Sequence, residues 1–168
     1  EFLKPHGIKS ANSFVISKGD KVDTNKIIDQ VGLPCFVKAS KSGSSYGISK
    51  VSKKEDIDKA LEIAFSEDNQ VLIESFLDGI EVSVGVISYD NEILALPITE
   101  IVTDNDFFDY NAKYKGQADE ITPARLSHEM TLKIKSIAKK IYHILDMEGF
   151  SRSEFIIHLL KSLKNIKT

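Results

Sequence analysis

The feature that most limits the fold is a change of hydrophobic period along this chain of 168 residues. From 81 to 88, Val82, Val84 and Val86 alternate with other residues, which is the period of a half-buried strand. From 127 to 149 apolar residues recur every three or four positions, which is the period of an amphipathic helix. A chain with both periods packs helices against sheets, so the sequence predicts a mixed α and β protein with antiparallel sheets and helices on one side.

Other elements follow from caps, turns and shorter patterns. A helix is predicted at 24–31, capped by Asp23 or Thr24, and a second helix begins at a capping box formed by Ser52 and Glu55. A third helix is capped by Ser127. Further strands are predicted at 33–39, 47–51, 71–76, 92–98 and 155–157. Residues 102–124 have no clear period and are predicted as a loop, a length that is uncommon unless the loop is functional.

Composition excludes several classes of function. The net charge of −3 leaves no broadly basic surface, so we expect no nucleic acid partner. No apolar run approaches the ~18 residues of a transmembrane helix, and there is no signal peptide, so we expect no membrane association and a cytoplasmic location. The single cysteine, Cys35, lies in an apolar run and is expected to be a buried strand residue.

The stretch KASKSGSSYG, residues 38–47, combines a lysine with a loop of small residues. Backbone N–H groups and Ser hydroxyls in such a loop can approach a phosphate closely, and Lys38 can add a positive charge. The alternative is an ordinary flexible hairpin tip. The stretch taken alone leaves both interpretations open.

A second stretch, VLIESFLDGIE at 71–81, combines an apolar strand with an aromatic residue and two carboxylates. Exposed backbone at a strand end can read the edge of a purine while apolar side chains cover its face, and a later carboxylate can bind ribose hydroxyls. The alternative is a plain edge strand followed by a turn.

Together these stretches resemble the ATP-grasp superfamily, and within it the D-alanine–D-alanine ligase family. The resemblance runs over nearly the whole chain, to Ile157, and includes GLPCFVKASKSGSSYGISKV, VLIESFLDGIEVSVGV, FFDYNAKY, ITPARLS and GFSRSEFII. It implies an α+β, ATP-grasp fold of two lobes whose antiparallel sheets enclose a nucleotide. Residues 1–75 would form the central lobe and residues 76–168 the carboxy-terminal lobe. The family's amino-terminal domain and carboxy-terminal end would be missing, and residues 158–168 would be an aberrant tail.

The resemblance also assigns the ATP contacts. Lys38 would bind phosphates, while Ser44 and Ser45 would close over the β and γ phosphates and the reacting carboxylate. The contacts to adenine and ribose would come from Glu74, Ser75, Phe76, Leu77 and Glu81. Ser75 stands where some relatives carry a lysine, which would alter the adenine contacts.

Further roles fall on the second half of the chain. Lys113 would reach the γ phosphate, and Tyr114 would meet the serine loop and exclude water from the acyl phosphate. Arg152 would stabilise the tetrahedral intermediate. Glu154 would bind Mg²⁺, with Mn²⁺ as an alternative, at a position where the family usually has aspartate.

The implied reaction is ATP-dependent ligation of two D-alanine molecules through an acyl phosphate, for peptidoglycan precursor synthesis. The full-length parent is expected to be a homodimer, and this chain alone is expected to bind ATP poorly and to be inactive. Two other hypotheses remain: an ATP-grasp ligase with another acceptor, such as D-lactate or D-serine, and a non-catalytic nucleotide-binding remnant.

Overall fold

The computed structural model describes residues 2–42, 46–103 and 118–158. These residues divide into two compact units, one formed by Lys9–Phe76 and one by residues 2–8, Leu77–Val102 and 119–158. Each unit is a sheet with antiparallel pairings and helix packed on it, which confirms the predicted α+β class. No helix in the described ranges is long and apolar enough to cross a membrane.

The first unit contains a four-stranded sheet in the order β1-β4-β2-β3. Its elements along the chain are β1 (Ser13–Ser17), α1 (Thr24–Val31), β2 (Cys35–Ala39), β3 (Ser49–Val51), α2 (Ile57–Glu67) and β4 (Gln70–Ser75). Strand β1 is an element that the sequence did not predict. All three strand pairings are antiparallel, and they place side chains from different strands next to each other on one face.

The core of the first unit lies between the sheet and its two helices. Alternate strand residues point to this side, as the period of two requires. The buried residues are Ile16, Ile27, Val31, Cys35, Val37, Val51, Ile57, Ala60, Leu61, Ala64, Val71 and Ile73. Burial raises the pKa of the Cys35 thiol, so this cysteine is a small core residue and is not prepared to act as a nucleophile.

The two helices of this unit begin differently. Helix α1 begins as predicted, because the Asp23 carboxylate accepts hydrogen bonds from the backbone N–H groups of Asn25 and Lys26. The capping box predicted at Ser52 is wrong. A 3-10 turn at Lys54–Asp56 precedes α2, and neither the turn nor the helix has a side-chain cap. The fully buried Ile57, the first residue of α2, instead fixes where this helix begins.

The second unit is built around one long strand. Its elements are β5 (Ile80–Tyr89), β6 (Glu92–Ala95), β7 (Thr99–Thr103), β8 (Ala118–Ile121), α3 (His128–Ile144) and β9 (Phe150–Ile157). Strand β9 pairs with β5 along almost its whole length, while β6 and β7 pair with different parts of β5. Both β7 and β8 extend into the range that the sequence predicted as a loop, and β9 begins five residues before the predicted strand.

Helix α3 covers one face of this sheet. Its Ser127 cap is confirmed, since the hydroxyl accepts a hydrogen bond from the Met130 backbone. The buried residues are Val82, Val84, Val86, Ile98, Ile134, Ala138 and Tyr142. The Tyr142 hydroxyl donates to the Gly149 carbonyl oxygen at 2.9 Å, and this bond ties the helix to the start of β9.

Candidate functional site

One face of the first unit's sheet carries charged and aromatic side chains in a row. Phe36 on β2 is paired with Lys50 on β3 and with Glu74 on β4, so these three side chains lie side by side across three strands. This face is opposite to the one that packs on α1 and α2, because its residues alternate with the buried Cys35, Val37, Val51 and Ile73. We call Lys50, Phe36 and Glu74 the cross-strand row.

Lys38 lies on the same face, two residues along β2 from Phe36, and its ammonium forms an ion pair with the Glu74 carboxylate. The two side chains are 32% and 28% exposed, so both remain accessible from solvent. An incoming phosphate could compete with the carboxylate for this ammonium. Lys38 was predicted to bind phosphates and Glu74 to bind adenine, and the structure brings the two together.

Phe76 follows the end of β4, and two groups contact its ring. The Phe36 ring lies 5.9 Å away between centroids at an angle of 50°, and the Lys50 ammonium lies 4.6 Å from the Phe76 centroid. The Phe76 backbone N–H donates to the Pro34 carbonyl oxygen at 3.1 Å. Neither Phe36 nor Lys50 was singled out from the sequence, because their approach to Phe76 depends on strand pairing.

The hydroxyl and the backbone N–H of Ser75 both form hydrogen bonds within the first unit. Its hydroxyl donates to the Val31 carbonyl oxygen at 2.7 Å, and its backbone N–H donates to the Asn12 carbonyl oxygen at 2.9 Å. The hydroxyl therefore closes the end of α1. Leu77 belongs to the second unit and is half-buried.

The small-residue loop is attached to the turn between α2 and β4. The Lys41 backbone N–H donates to the Asp68 carboxylate at 2.8 Å, and Gly47 lies so close to Glu67 that a Cβ at position 47 would come within 2.9 Å of its Cγ. Desolvation raises the pKa of Asp68, but hydrogen bonds from the Lys41, Gln70 and Asn69 backbones outweigh it and leave that pKa below its ordinary value. Asp68, which the sequence reasoning missed, therefore stays ionised and fixes one end of the loop. Ser44 and Ser45 lie outside the described residues.

In the second unit, three predicted residues project from β5 and β9. Glu154 is paired with Ser83 and Arg152 with Gly85, and Glu81 is two residues from Ser83 on the same side of β5. The Arg152 guanidinium and the Glu154 carboxylate form an ion pair at 3.2 Å, with both side chains more than half exposed. This part of the sheet therefore presents two carboxylates and a guanidinium on one face. Lys113 and Tyr114 lie outside the described residues.

A buried acid in the second unit was also missed. Glu100 on β7 is only 6% exposed, and its carboxylate accepts hydrogen bonds from Arg125 Nε at 3.0 Å, Nη2 at 2.5 Å and the backbone N–H at 3.1 Å. The Arg125 side chain holds the pKa of Glu100 below its ordinary value. Arg125 belongs to the stretch ITPARLS, which contributes to the family resemblance, but only the fold reveals its partner.

A divalent cation can use part of this arrangement. In the ranges that the structure describes, no three His, Cys, Asp or Glu side chains group closely enough to hold a metal ion by themselves. Mg²⁺ bound with a nucleotide keeps waters and phosphate oxygens among its ligands and needs only one or two protein carboxylates. The exposed Glu154 carboxylate fits that role.

The comparisons with known proteins agree on one family. The model of the family described as D-ala D-ala ligase C-terminus matches residues 2–163. A D-alanine--D-alanine ligase from Flavobacterium johnsoniae is 61% identical over 155 residues, which cover 92% of this chain and 48% of that protein. The chain therefore spans about half the length of the curated relatives that it matches.

Two solved structures have a similar fold. The VanG D-Ala:D-Ser ligase from Enterococcus faecalis is 33% identical with a TM-score of 0.77, and the alignment covers 92% of this chain and 46% of that one. A D-alanine--D-alanine ligase from Bacillus anthracis, solved in complex with ATP, is 22% identical with a TM-score of 0.74, covering 94% and 48% of the two chains.

Proposed function

Because the chain belongs to the D-ala D-ala ligase C-terminus family, we propose that it forms the ATP-binding part of a ligase that joins two D-alanine molecules. The observation that carries this proposal is the face of the first unit where Lys38, Glu74 and Phe76 lie together. A lysine ammonium binds phosphate as a point charge, and an apolar ring beside exposed backbone suits a purine. The relative solved with ATP supports the choice of nucleotide.

In this proposal each ATP group has a partner. Lys38 exchanges the Glu74 carboxylate for phosphate oxygens, and Ser44 and Ser45 donate to the β and γ phosphates. The Glu74–Leu77 segment holds adenine, mainly through backbone because the Ser75 hydroxyl already bonds to Val31. Glu81 accepts from the ribose hydroxyls.

The reaction has two steps. A carboxylate oxygen of the first D-alanine attacks the γ phosphorus, the bond to the β–γ bridging oxygen breaks, and ADP leaves. The amine nitrogen of the second D-alanine then attacks the acyl carbon, the bond to the phosphate oxygen breaks, and the nitrogen loses a proton. Arg152 donates to the oxygen that becomes negative in the tetrahedral intermediate. Lys113 pairs with the γ phosphate, and Tyr114 with Ser44 keeps water from the acyl phosphate.

Glu154 would hold one Mg²⁺ or Mn²⁺ together with phosphate oxygens of ATP. When bound, the cation neutralises charge on the oligophosphate. The Glu154 carboxylate that would hold the cation also pairs with the Arg152 guanidinium at 3.2 Å and so orients that guanidinium.

The remaining assignments are proposals of the same kind. Residues 1–75 form the central ATP-grasp lobe and residues 76–168 the carboxy-terminal lobe. The division into compact units after Phe76 supports the boundary between them, whereas residues 2–8 group with the second unit. The full-length ligase is a cytoplasmic homodimer that supplies a peptidoglycan precursor.

A second candidate is a ligase that accepts D-serine. The 33% identity to a D-Ala:D-Ser ligase favours keeping it, although the relative at 61% identity is a D-alanine--D-alanine ligase. The two candidates share the ATP site and the first step, and they differ only in the amine that attacks the acyl phosphate.

Nucleotide binding is tested on the chain itself by NMR titration with ATP and Mg²⁺. We expect weak binding, seen as saturable shifts at the Lys38 and Phe76 backbone amides. Lys38→Ala should lower the affinity for ATP about tenfold or more, which is the loss expected for one charged phosphate contact. Lys59→Ala is the matched control, because Lys59 is an exposed lysine on α2, and it should change nothing. Saturable shifts confined to other surfaces would contradict the ATP site.

Ligation is tested by phosphate release from ATP in the full-length protein that carries this chain, with D-alanine, D-serine or D-lactate as acceptor. D-alanine is expected to support the fastest release, and Arg152→Ala to abolish it while ATP binding persists. The chain alone is expected to release none. If the full-length protein binds ATP but releases no phosphate with any of these acceptors, the hypothesis of a non-catalytic remnant would be favoured.

A further inference from the structure

The Phe76 ring is held on two sides by side chains from other strands. Phe36, on β2, contacts it at a centroid separation of 5.9 Å, within the range of favourable tilted aromatic pairs. Lys50, on β3, places its ammonium 4.6 Å from the Phe76 centroid, within the range of a cation–π contact. The ring therefore has a preferred position on the sheet, although Phe76 itself lies beyond the last residue of β4.

Strand pairing explains why Lys50 can reach the ring. Lys50 is the direct partner of Phe36 across β2 and β3, and Phe36 is the direct partner of Glu74 across β2 and β4. Phe76 is two residues beyond Glu74, so its ring lies next to the cross-strand row. Lys50 is half-buried, and a cation partly removed from water interacts more strongly with a ring than an exposed one does.

Lys50 and Lys38 both lie on this face of the sheet, and each makes a contact that the other does not. Lys38 is paired with the Glu74 carboxylate, whereas Lys50 contacts an aromatic ring. Removing the contact between Lys50 and the Phe76 ring would leave the Phe76 side chain less firmly fixed. The start of the segment that leads to Leu77 would be less firmly fixed with it.

We propose that Lys50 is a positioning residue for the nucleotide base, acting through the ring of Phe76. The inference rests on the proposed function, in which the Glu74–Leu77 segment holds adenine mainly through its backbone. Lys50 fixes the ring against Phe36, and the ring fixes the backbone that reads the base. Its effect therefore falls on the adenosine part of the ligand, in contrast to Lys38, whose effect falls on the phosphates.

The contact itself is tested without nucleotide. The ε-methylene protons of Lys50 are expected to show an upfield ring-current shift in NMR spectra of the chain, and Phe76→Leu should remove it. If the Lys50 ε-methylene protons of the unsubstituted chain have the ordinary chemical shift of lysine, the proposal is overturned at its first step.

The role is tested by binding of ATP and of adenosine to Lys50→Met, which keeps the length of the side chain and removes its charge. Both ligands are expected to bind about threefold to tenfold more weakly, because a less firmly held ring and backbone must be ordered when the base binds; the energy of one partly desolvated cation–π contact is the upper limit of this loss. Lys50→Arg, which retains a cation over the ring, should bind both within about twofold of the unsubstituted chain. Lys59→Met on α2 is the matched control and should have no effect.

The outcomes separate this inference from the proposed function. In a Phe76→Leu background, Lys50→Met should cause no further loss, because the partner through which it acts is gone. Loss of ATP affinity with unchanged adenosine affinity would overturn the proposal and would make Lys50 a direct phosphate ligand, leaving the proposed function intact. An unsubstituted chain that binds neither ATP nor adenosine would overturn both.

Discussion

Replacing Gly79 by alanine brings two opposite effects on stability into competition. Gly79 does not have a positive φ, so alanine is compatible with its backbone conformation. At such positions alanine stabilises a protein by about 0.4–1 kcal/mol, since it reduces the entropy of the unfolded chain. Against this, a Cβ at position 79 would lie 2.7 Å from the carbonyl carbon of Ile157 and closer still to its oxygen.

The structure indicates that the steric effect is the larger one. Non-bonded carbon atoms pack at about 3.5–4.0 Å, so the end of β9 would have to move away by about 1 Å. The obstacle is backbone in a paired strand, where Ile157 opposes Ile80, and it cannot rotate aside. Inserting a methyl group into a packed site costs about 1–3 kcal/mol. With the entropic gain subtracted from the middle of this range, we expect Gly79→Ala to lower the free energy of unfolding by about 1–2 kcal/mol.

Gly85→Ala is the matched control in the same strand, β5. Its Cβ would lie 3.0 Å from Leu96 Cδ1 and 3.1 Å from Phe150 Cε2, which are ends of flexible, exposed side chains. These side chains can rotate, so the steric cost is small and is offset by the same entropic gain; the expected change lies between zero and about 1 kcal/mol of added stability. Urea unfolding of both variants, followed by circular dichroism, measures the difference. A Gly79→Ala chain as stable as the unsubstituted one, or a larger loss for Gly85→Ala, would refute the reasoning.

Three further substitutions test single hydrogen-bonded groups. Glu100→Gln should flatten the pH dependence of stability in acid. The native Glu100 carboxylate, paired with Arg125, has a pKa below its ordinary value of 4.5. Its contribution to stability is therefore full above pH 4.5 and is lost as the pH falls through the depressed pKa. Urea unfolding from pH 3 to 6 measures this, and an unchanged slope would contradict it. Tyr142→Phe should cost about 0.5–1.5 kcal/mol, towards the low end because the Gly149 carbonyl keeps a second donor, the Ser88 backbone. A loss above about 3 kcal/mol would show that the hydroxyl does more than make one net hydrogen bond. Ser75→Ala should cost about 1 kcal/mol through loss of the bond to the end of α1, and ATP affinity should stay within twofold; a larger loss of affinity would mean that the hydroxyl contacts adenine.

Local interactions made much of the fold predictable. The bounds of α1 and its Asp23 cap, and the Ser127 cap of α3, depend on groups within a few residues of each other, and the sequence contains both partners. The alternation of Val82, Val84 and Val86 identified β5 for the same reason. The strands that were missed or shortened, β1, β8 and the first part of β9, lack a strong period of their own and are strands because a neighbour pairs with them.

The sequence by itself also determined the family and the kinds of side chain that a nucleotide site would need, since Lys38 and the Glu74–Leu77 segment stand in recognisable motifs. Only the tertiary structure decided which side chains are neighbours. It places the Glu74 carboxylate beside Lys38, the Lys50 ammonium over Phe76, and the Arg125 guanidinium on the buried Glu100. Motifs record residues that are close along the chain. These contacts join residues on different strands, and they exist because antiparallel register and core burial bring distant segments to one face of a sheet.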